Sequence, residues 1–223
     1  MKIRVLSIAF VFLFLFPFIA QTDKAFPDTR LVSLAGQIPD KFLSQWRRPS
    51  DVRISKGKFL VAGRNMQDQR FSETVVLLIQ YDHKGALGLI INRPTDVKLS
   101  AVLPDVKELQ QKTDSLFIGG PVSVDKMFIL LRSGSPVEGA GHVFGNVHVS
   151  ANLSVLGSIS RVNQEGKNFR VYAGYAGWMP GQLDLEVARG DWHVLQADAD
   201  TIFEKELSDI WPELILLNTS LTI

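Results

Sequence analysis

The stretch Gly174-Tyr175-Ala176-Gly177-Trp178-Met179-Pro180-Gly181-Gln182-Leu183-Asp184-Leu185-Glu186 carries the chain from a β-rich run into a helix. Glycines 174, 177 and 181 permit positive φ or close approach of another backbone, and Pro180 suits a first helical turn, where its missing N–H costs nothing. The spacing predicts a rigid glycine-rich turn and then a helix over 180–189. Leu183 and Val187 would share one face, Asp184 and Glu186 would lie near the positive end, and Gly190 would stop the helix.

Working outward from this junction, 169–172 reads as a strand feeding the turn and 192–196 as another strand. Residues 199–217 are helical in composition, with an interruption at Pro212. Upstream, 58–62 reads as a strand, and the apolar runs 74–80 and 87–92 flank turn chemistry at 82–85, a β-hairpin pattern. Arg93-Pro94 closes the second of these strands. Short elements follow: a helical turn over 99–103, strands over 116–118, 127–131 and 143–149, and a helix capped by Ser150 or Asn152 running to about Val162. Strands and helices mix without a βαβ rhythm, which predicts a single compact α+β domain with a mixed, strongly bent, pseudo-barrel-like β-sheet and peripheral helices.

Five ordered segments resemble the YqgE/AlgH family of bacterial proteins. They are Gly57-Lys58-Phe59-Leu60-Val61-Ala62, Asp68-Gln69-Arg70-Phe71-Ser72-Glu73-Thr74-Val75-Val76-Leu77-Leu78, Gly85-Ala86-Leu87-Gly88-Leu89-Ile90-Ile91-Asn92-Arg93-Pro94, Gly119-Gly120-Pro121-Val122 and the junction itself. The resemblance runs from about Ser55 to Leu217. It implies a compact α+β domain, a cytosolic setting for most members, no agreed biochemical activity and, for some members, a link to transcriptional regulation.

The N-terminus departs from that setting. Lys2 and Arg4 precede an apolar run over 5–20 rich in phenylalanine, the layout of a secretory signal and short for a spanning helix of about 20 residues. Phe18 and Asp23 stand where a cleavage site favours small residues, so an uncleaved inner-membrane anchor is the alternative. The expected organisation is a signal or anchor over 1–25, an amphipathic linker over 26–55, the family domain over 56–217 and a tail over 218–223. This organisation predicts a periplasmic protein or one anchored in the inner membrane and facing the periplasm, against the cytosolic setting of most relatives.

Composition narrows the chemistry. The 223-residue chain has a formal net charge of +1 and no cysteine, which excludes disulfides, thiolate nucleophiles and thiolate-bound clusters. Residues 1–25 hold Lys2, Arg4, Lys24 and Asp23, so the remainder carries −1. That balance argues against nucleic acid, whose binding depends on neutralising phosphates. No Gly-x-Ser-x-Gly or Gly-Lys-Ser/Thr loop occurs. On a continuous strand His142 and His148 would lie about 20 Å apart, so no metal site is expected. His83 and His193 read as solvated, and no cofactor is expected.

What remains is a groove for a protein partner or ligand, formed by Asn92, Arg93, Gly119, Gly120, Trp178, Gln182 and Glu186. Trp178 would form a groove wall or a core plug. Glu186 would brace the glycine turn, and Arg93 would pair with Asp68, Glu73 or Glu186, or clamp an anionic ligand. Two classes of function follow: a non-enzymatic binding or regulatory protein, and an enzyme or small-molecule binder using Arg93 as an anion clamp. A transcriptional regulator is third.

Overall fold

The computed structural model describes residues 53–110, 114–156 and 168–220. Ten strands form its core: β1 (Lys58–Ala62), β2 (Val75–Asp82), β3 (Gly85–Ile90), β4 (Pro94–Lys98), β5 (Ser115–Ile118), β6 (Val122–Arg132), β7 (Gly141–Phe144), β8 (Val147–Ser150), β9 (Phe169–Trp178) and β10 (Trp192–Gln196). The α-helices with described bounds are α1 (Leu99–Val102), α2 (Gln182–Arg189), α3 (Ala199–Phe203) and α4 (Leu207–Ser220). Residues 154–156 are also helical.

The strands run β10-β1-β2-β3-β9-β6-β8-β7, with β4 and β5 joined to β9 as a branch. All pairings are antiparallel except β5 with β9, so the sheet is mixed. It curls strongly. The far strand β7 returns to the chain just ahead of β1: Lys56 Nζ donates to His142 O at 2.9 Å, and a Cβ placed on Gly57 would stand 2.9 Å from Phe144 Cβ.

Both faces of the central strands are buried, which explains why they read as continuous apolar runs rather than as an alternation. From β1, Phe59 and Val61 point into a cluster with Leu77, Leu89, Tyr172, Ile202 and Ile210, under α3 and α4. Leu60 and Ala62 point the other way, toward Trp178, Leu183 and Trp192 under α2. A third cluster gathers Leu99, Leu116, Ile129, Val171 and Leu156. Each large side chain so buried contributes about 1.5–3 kcal/mol. Trp211 Nε1 donates to Ala62 O at 2.8 Å and fastens α4 to β1.

Four expectations are corrected. The glycine-rich run is not a turn until Met179: β9 continues through Gly174 to Trp178, pairing with β3, β5 and β6. Its glycines serve strand crossing. Gly174 has φ +70°, and a Cβ there would meet Gly120 O at 2.5 Å, while a Cβ on Gly120 would meet the carbonyl carbon of Tyr175 at 2.1 Å. Residues 143–149 are two strands of a hairpin, broken between Phe144 and Val147. The C-terminal helical segment breaks at 204–206 and not at Pro212, which lies inside α4. The chain after Arg93 forms a further strand, β4, that sequence patterning did not predict. The expected signal or anchor over 1–25 and most of the linker over 26–55 lie outside the described residues, as does much of the helix expected to reach Val162.

Candidate functional site

The junction between β9 and α2 is built around one carboxylate. Beyond Trp178 the chain turns at Met179-Pro180-Gly181, where Met179 N donates to Gln182 Oε1 at 3.0 Å and Gln182 N to Met179 O at 3.0 Å. Helix α2 then buries Leu183 and ends at Gly190. One turn into the helix, Glu186 Oε2 accepts from Trp178 Nε1 at 2.8 Å and from Trp192 Nε1 at 2.9 Å. Its other oxygen accepts from Gln182 Nε2 at 2.9 Å. Phe71 completes the aromatic group, 6.4 Å from the Trp178 ring and 5.5 Å from the Trp192 ring between centroids.

Trp178 is only 7% exposed and packs with Leu60, Val76 and Leu78, so most of the indole is core. Asp184 points elsewhere, as residues two apart on a helix do. It accepts from Tyr81 Oη at 2.6 Å, tying α2 to β2, and this hydrogen bond raises the Tyr81 pKa.

Asn92 and Arg93 form a second network just past β3. Asn92 Oδ1 accepts from Val75 N at 3.0 Å and its Nδ2 donates to Glu73 O at 2.9 Å, satisfying both ends of the amide. The expected ion pair of Arg93 is replaced by contacts to backbone. Arg93 Nη1 donates to Arg70 O and Nη2 to Ser72 O at 3.0 Å, while Asp68 pairs with Arg70 at 2.6 Å. Among the described residues no carboxylate forms an ion pair with Arg93, and burial lowers its pKa.

Gly119 and Gly120 stand apart from both networks. Gly119 N donates to Ala173 O at 2.8 Å and its carbonyl accepts from Ile90 N at 2.9 Å, which locks the chain between β3 and β9. The seven residues singled out from the sequence thus occupy three places: Trp178, Gln182 and Glu186 in one network, Asn92 and Arg93 in another, the glycines at a backbone crossing.

Two hollows open beside these networks. One of about 410 Å³ has Trp178 in its wall and is rimmed by Lys84, Leu87, Val122, Tyr175 and Met179. Met179 is 75% exposed and Val122 37%. The other, also about 410 Å³, is lined by Glu73, Asn92, Arg93, Leu207 and Trp211. Sequence reasoning did not single out Lys84, Val122 or Met179. Lys84 belongs to the β2–β3 turn and Val122 follows Gly-Gly-Pro, and only the pairing of β3, β6 and β9 brings them beside Met179.

A single α+β domain on a strongly curled mixed sheet, with its glycines at a strand crossing and its indoles tied to one helix, is the class that this architecture defines. The chain belongs to the AlgH-like family (DUF179), whose model matches residues 59–219. A UPF0301 protein of Streptomyces avermitilis is 32% identical over 169 residues, 74% of this chain and 88% of the relative. A UPF0301 protein of Mycobacterium tuberculosis is 33% identical over 172 residues, 75% of this chain and 84% of the relative. Among solved structures, the AlgH protein of Pseudomonas aeruginosa matches with TM-score 0.60 and 29% identity, covering 77% of this chain and 94% of that one. A Corynebacterium diphtheriae protein shares the fold, with TM-score 0.65 and 22% identity, covering 82% and 97%.

Proposed function

We propose that this chain is a non-enzymatic binding or regulatory protein that recognises a segment of another protein in the hollow beside Trp178. One observation carries the reading: Met179 and Val122, both exposed and apolar, border the same hollow as Lys84. Such a rim suits a partner segment with an apolar side chain next to an acidic one. Support also comes from the polar groups nearby, since Glu186 and Gln182 spend their hydrogen bonds on the fold. Selection of displayed peptides on the full chain tests this. Enriched apolar-acidic peptides that lose binding to Met179→Glu sustain the reading; peptides indifferent to that change refute it.

A second reading, a small-molecule binder or enzyme with Arg93 as anion clamp, is favoured by the absence of a carboxylate partner for Arg93 among the described residues. Inorganic phosphate would then raise the melting temperature of the wild type and not of Arg93→Ala. No shift in either removes that reading. A third, transcriptional regulation, draws only on family resemblance, and salt-dependent retention on DNA tests it.

The basic and apolar N-terminus supports export or anchoring in the inner membrane. Among the described residues no helix is long and apolar enough to cross a membrane. Cell fractionation with intact-mass analysis decides between a cleaved, an anchored and a cytosolic chain.

A further inference from the structure

The β7–β8 hairpin overturns the geometry that argued against a metal site. Its register places His142 directly opposite His148, with ring centroids 5.4 Å apart and ring planes 73° apart. With metal–nitrogen bonds of about 2.0–2.1 Å and tetrahedral angles, two imidazoles on one ion stand with centroids about 5 Å apart. The pair is already at that spacing.

His142 Nε2 lies 3.0 Å from Gly145 O, an arrangement in which Nε2 carries the proton and donates to the carbonyl. A backbone carbonyl is a common outer partner of a metal-bound histidine, and with Nε2 protonated the lone pair of His142 lies on Nδ1. His148 is 6% exposed, and its Nδ1 is buried without a hydrogen-bond partner among the described residues. A buried polar nitrogen left unpaired costs about 1–3 kcal/mol, and coordination removes that cost.

We infer that His142 and His148 form a two-histidine site for a divalent transition metal, Cu(II), Ni(II) or Zn(II), on the edge hairpin of the sheet. Neutral imidazole suits these ions. No group of three or more His, Cys, Asp or Glu converges among the described residues, so the two histidines are the protein ligands that these residues supply. The ion crosslinks β7 to β8 at the point where β7 meets Lys56, and so clamps the edge of the curl. This inference stands apart from the protein-binding hollow.

The test is Cu(II) titration of the untagged full chain, followed by electron paramagnetic resonance. One equivalent should bind with hyperfine structure from two nitrogens, and Cu(II) should displace Zn(II) from the same site. His142 is exposed, so His142→Ala should keep its far-UV circular dichroism while losing affinity at least about tenfold. His83→Ala serves as control and should bind as the wild type does. Failure to saturate at one equivalent, a spectrum with other than two nitrogens, or equal binding by His142→Ala each overturns the site.

Discussion

Trp178 and Trp192 donate their indole N–H groups to the same oxygen, Oε2 of Glu186, at 2.8 and 2.9 Å, with their rings edge to face at 5.9 Å. One side chain on α2 thereby ties the end of β9 to the start of β10. The two lone pairs of one carboxylate oxygen serve both indoles, and charge-assisted bonds of this type are about twice as strong as neutral ones.

Glu186→Ala should therefore destabilise the domain by about 3 kcal/mol, since two largely buried N–H groups lose their partner. Glu186→Gln keeps one acceptor oxygen and should cost less, about 1–2 kcal/mol. Urea denaturation followed by tryptophan emission measures both. Equal stability of Glu186→Ala and wild type would remove the bracing role.

The crossing of Gly120 and Gly174 makes a sharper prediction. Gly120→Ala puts a Cβ 2.1 Å from backbone that cannot withdraw, and should cost more than about 4 kcal/mol or abolish folding. Gly134 has nothing within 4 Å of the same added atom, so Gly134→Ala should stay within about 0.5 kcal/mol of the wild type. Thermal unfolding of the two variants side by side checks the contrast.

Arg93→Lys tests whether the guanidinium fork matters. One ammonium cannot span the carbonyls of Arg70 and Ser72 as the two Nη atoms do. A loss of about 1–2 kcal/mol in chemical denaturation is expected. A neutral outcome would mean that these carbonyls are satisfied by water.

Stability should fall in alkali through Tyr172. Burial of its hydroxyl pushes its pKa up to about 12, offset only in part by the charge and hydrogen bonding of Arg170. Because the folded value exceeds the unfolded one of about 10, this contribution is fully present below pH 10 and is lost as pH rises toward 12. The slope is roughly 1.4 kcal/mol per pH unit. Tyr172→Phe should lie within about 1 kcal/mol of the wild type at pH 7 and show a shallower decline in denaturation curves above pH 10. Parallel declines in the two proteins would contradict it.

Much of the fold was legible because its signals were local. The β2–β3 hairpin announces itself through apolar Val75 to Ile79 and the turn chemistry of Asp82 to Gly85, and α2 through Pro180, Leu183 and Gly190. What escaped was non-local. Gly174 looks like a turn residue until Gly120 is seen against β9, and only then does the need for a missing Cβ become clear. Residues 143–149 carry a single weak turn signal at Gly145-Asn146, so the hairpin that joins His142 to His148 was hidden in one run. The bracing role of Glu186 was legible from its place on α2. Its bond to Trp192 was not, because nothing in the spacing says that β10 returns beside β9's end. The rim of Lys84, Val122 and Met179 depends likewise on three strands meeting.

The most direct test of protein recognition at this hollow is backbone amide shift mapping of the full chain, titrated with a peptide chosen by display. The account predicts that the largest shifts fall on Lys84, Leu87, Val122, Gly177 and Met179. Shifts centred instead on Arg93 and Trp211, or spread evenly over the domain, would contradict it.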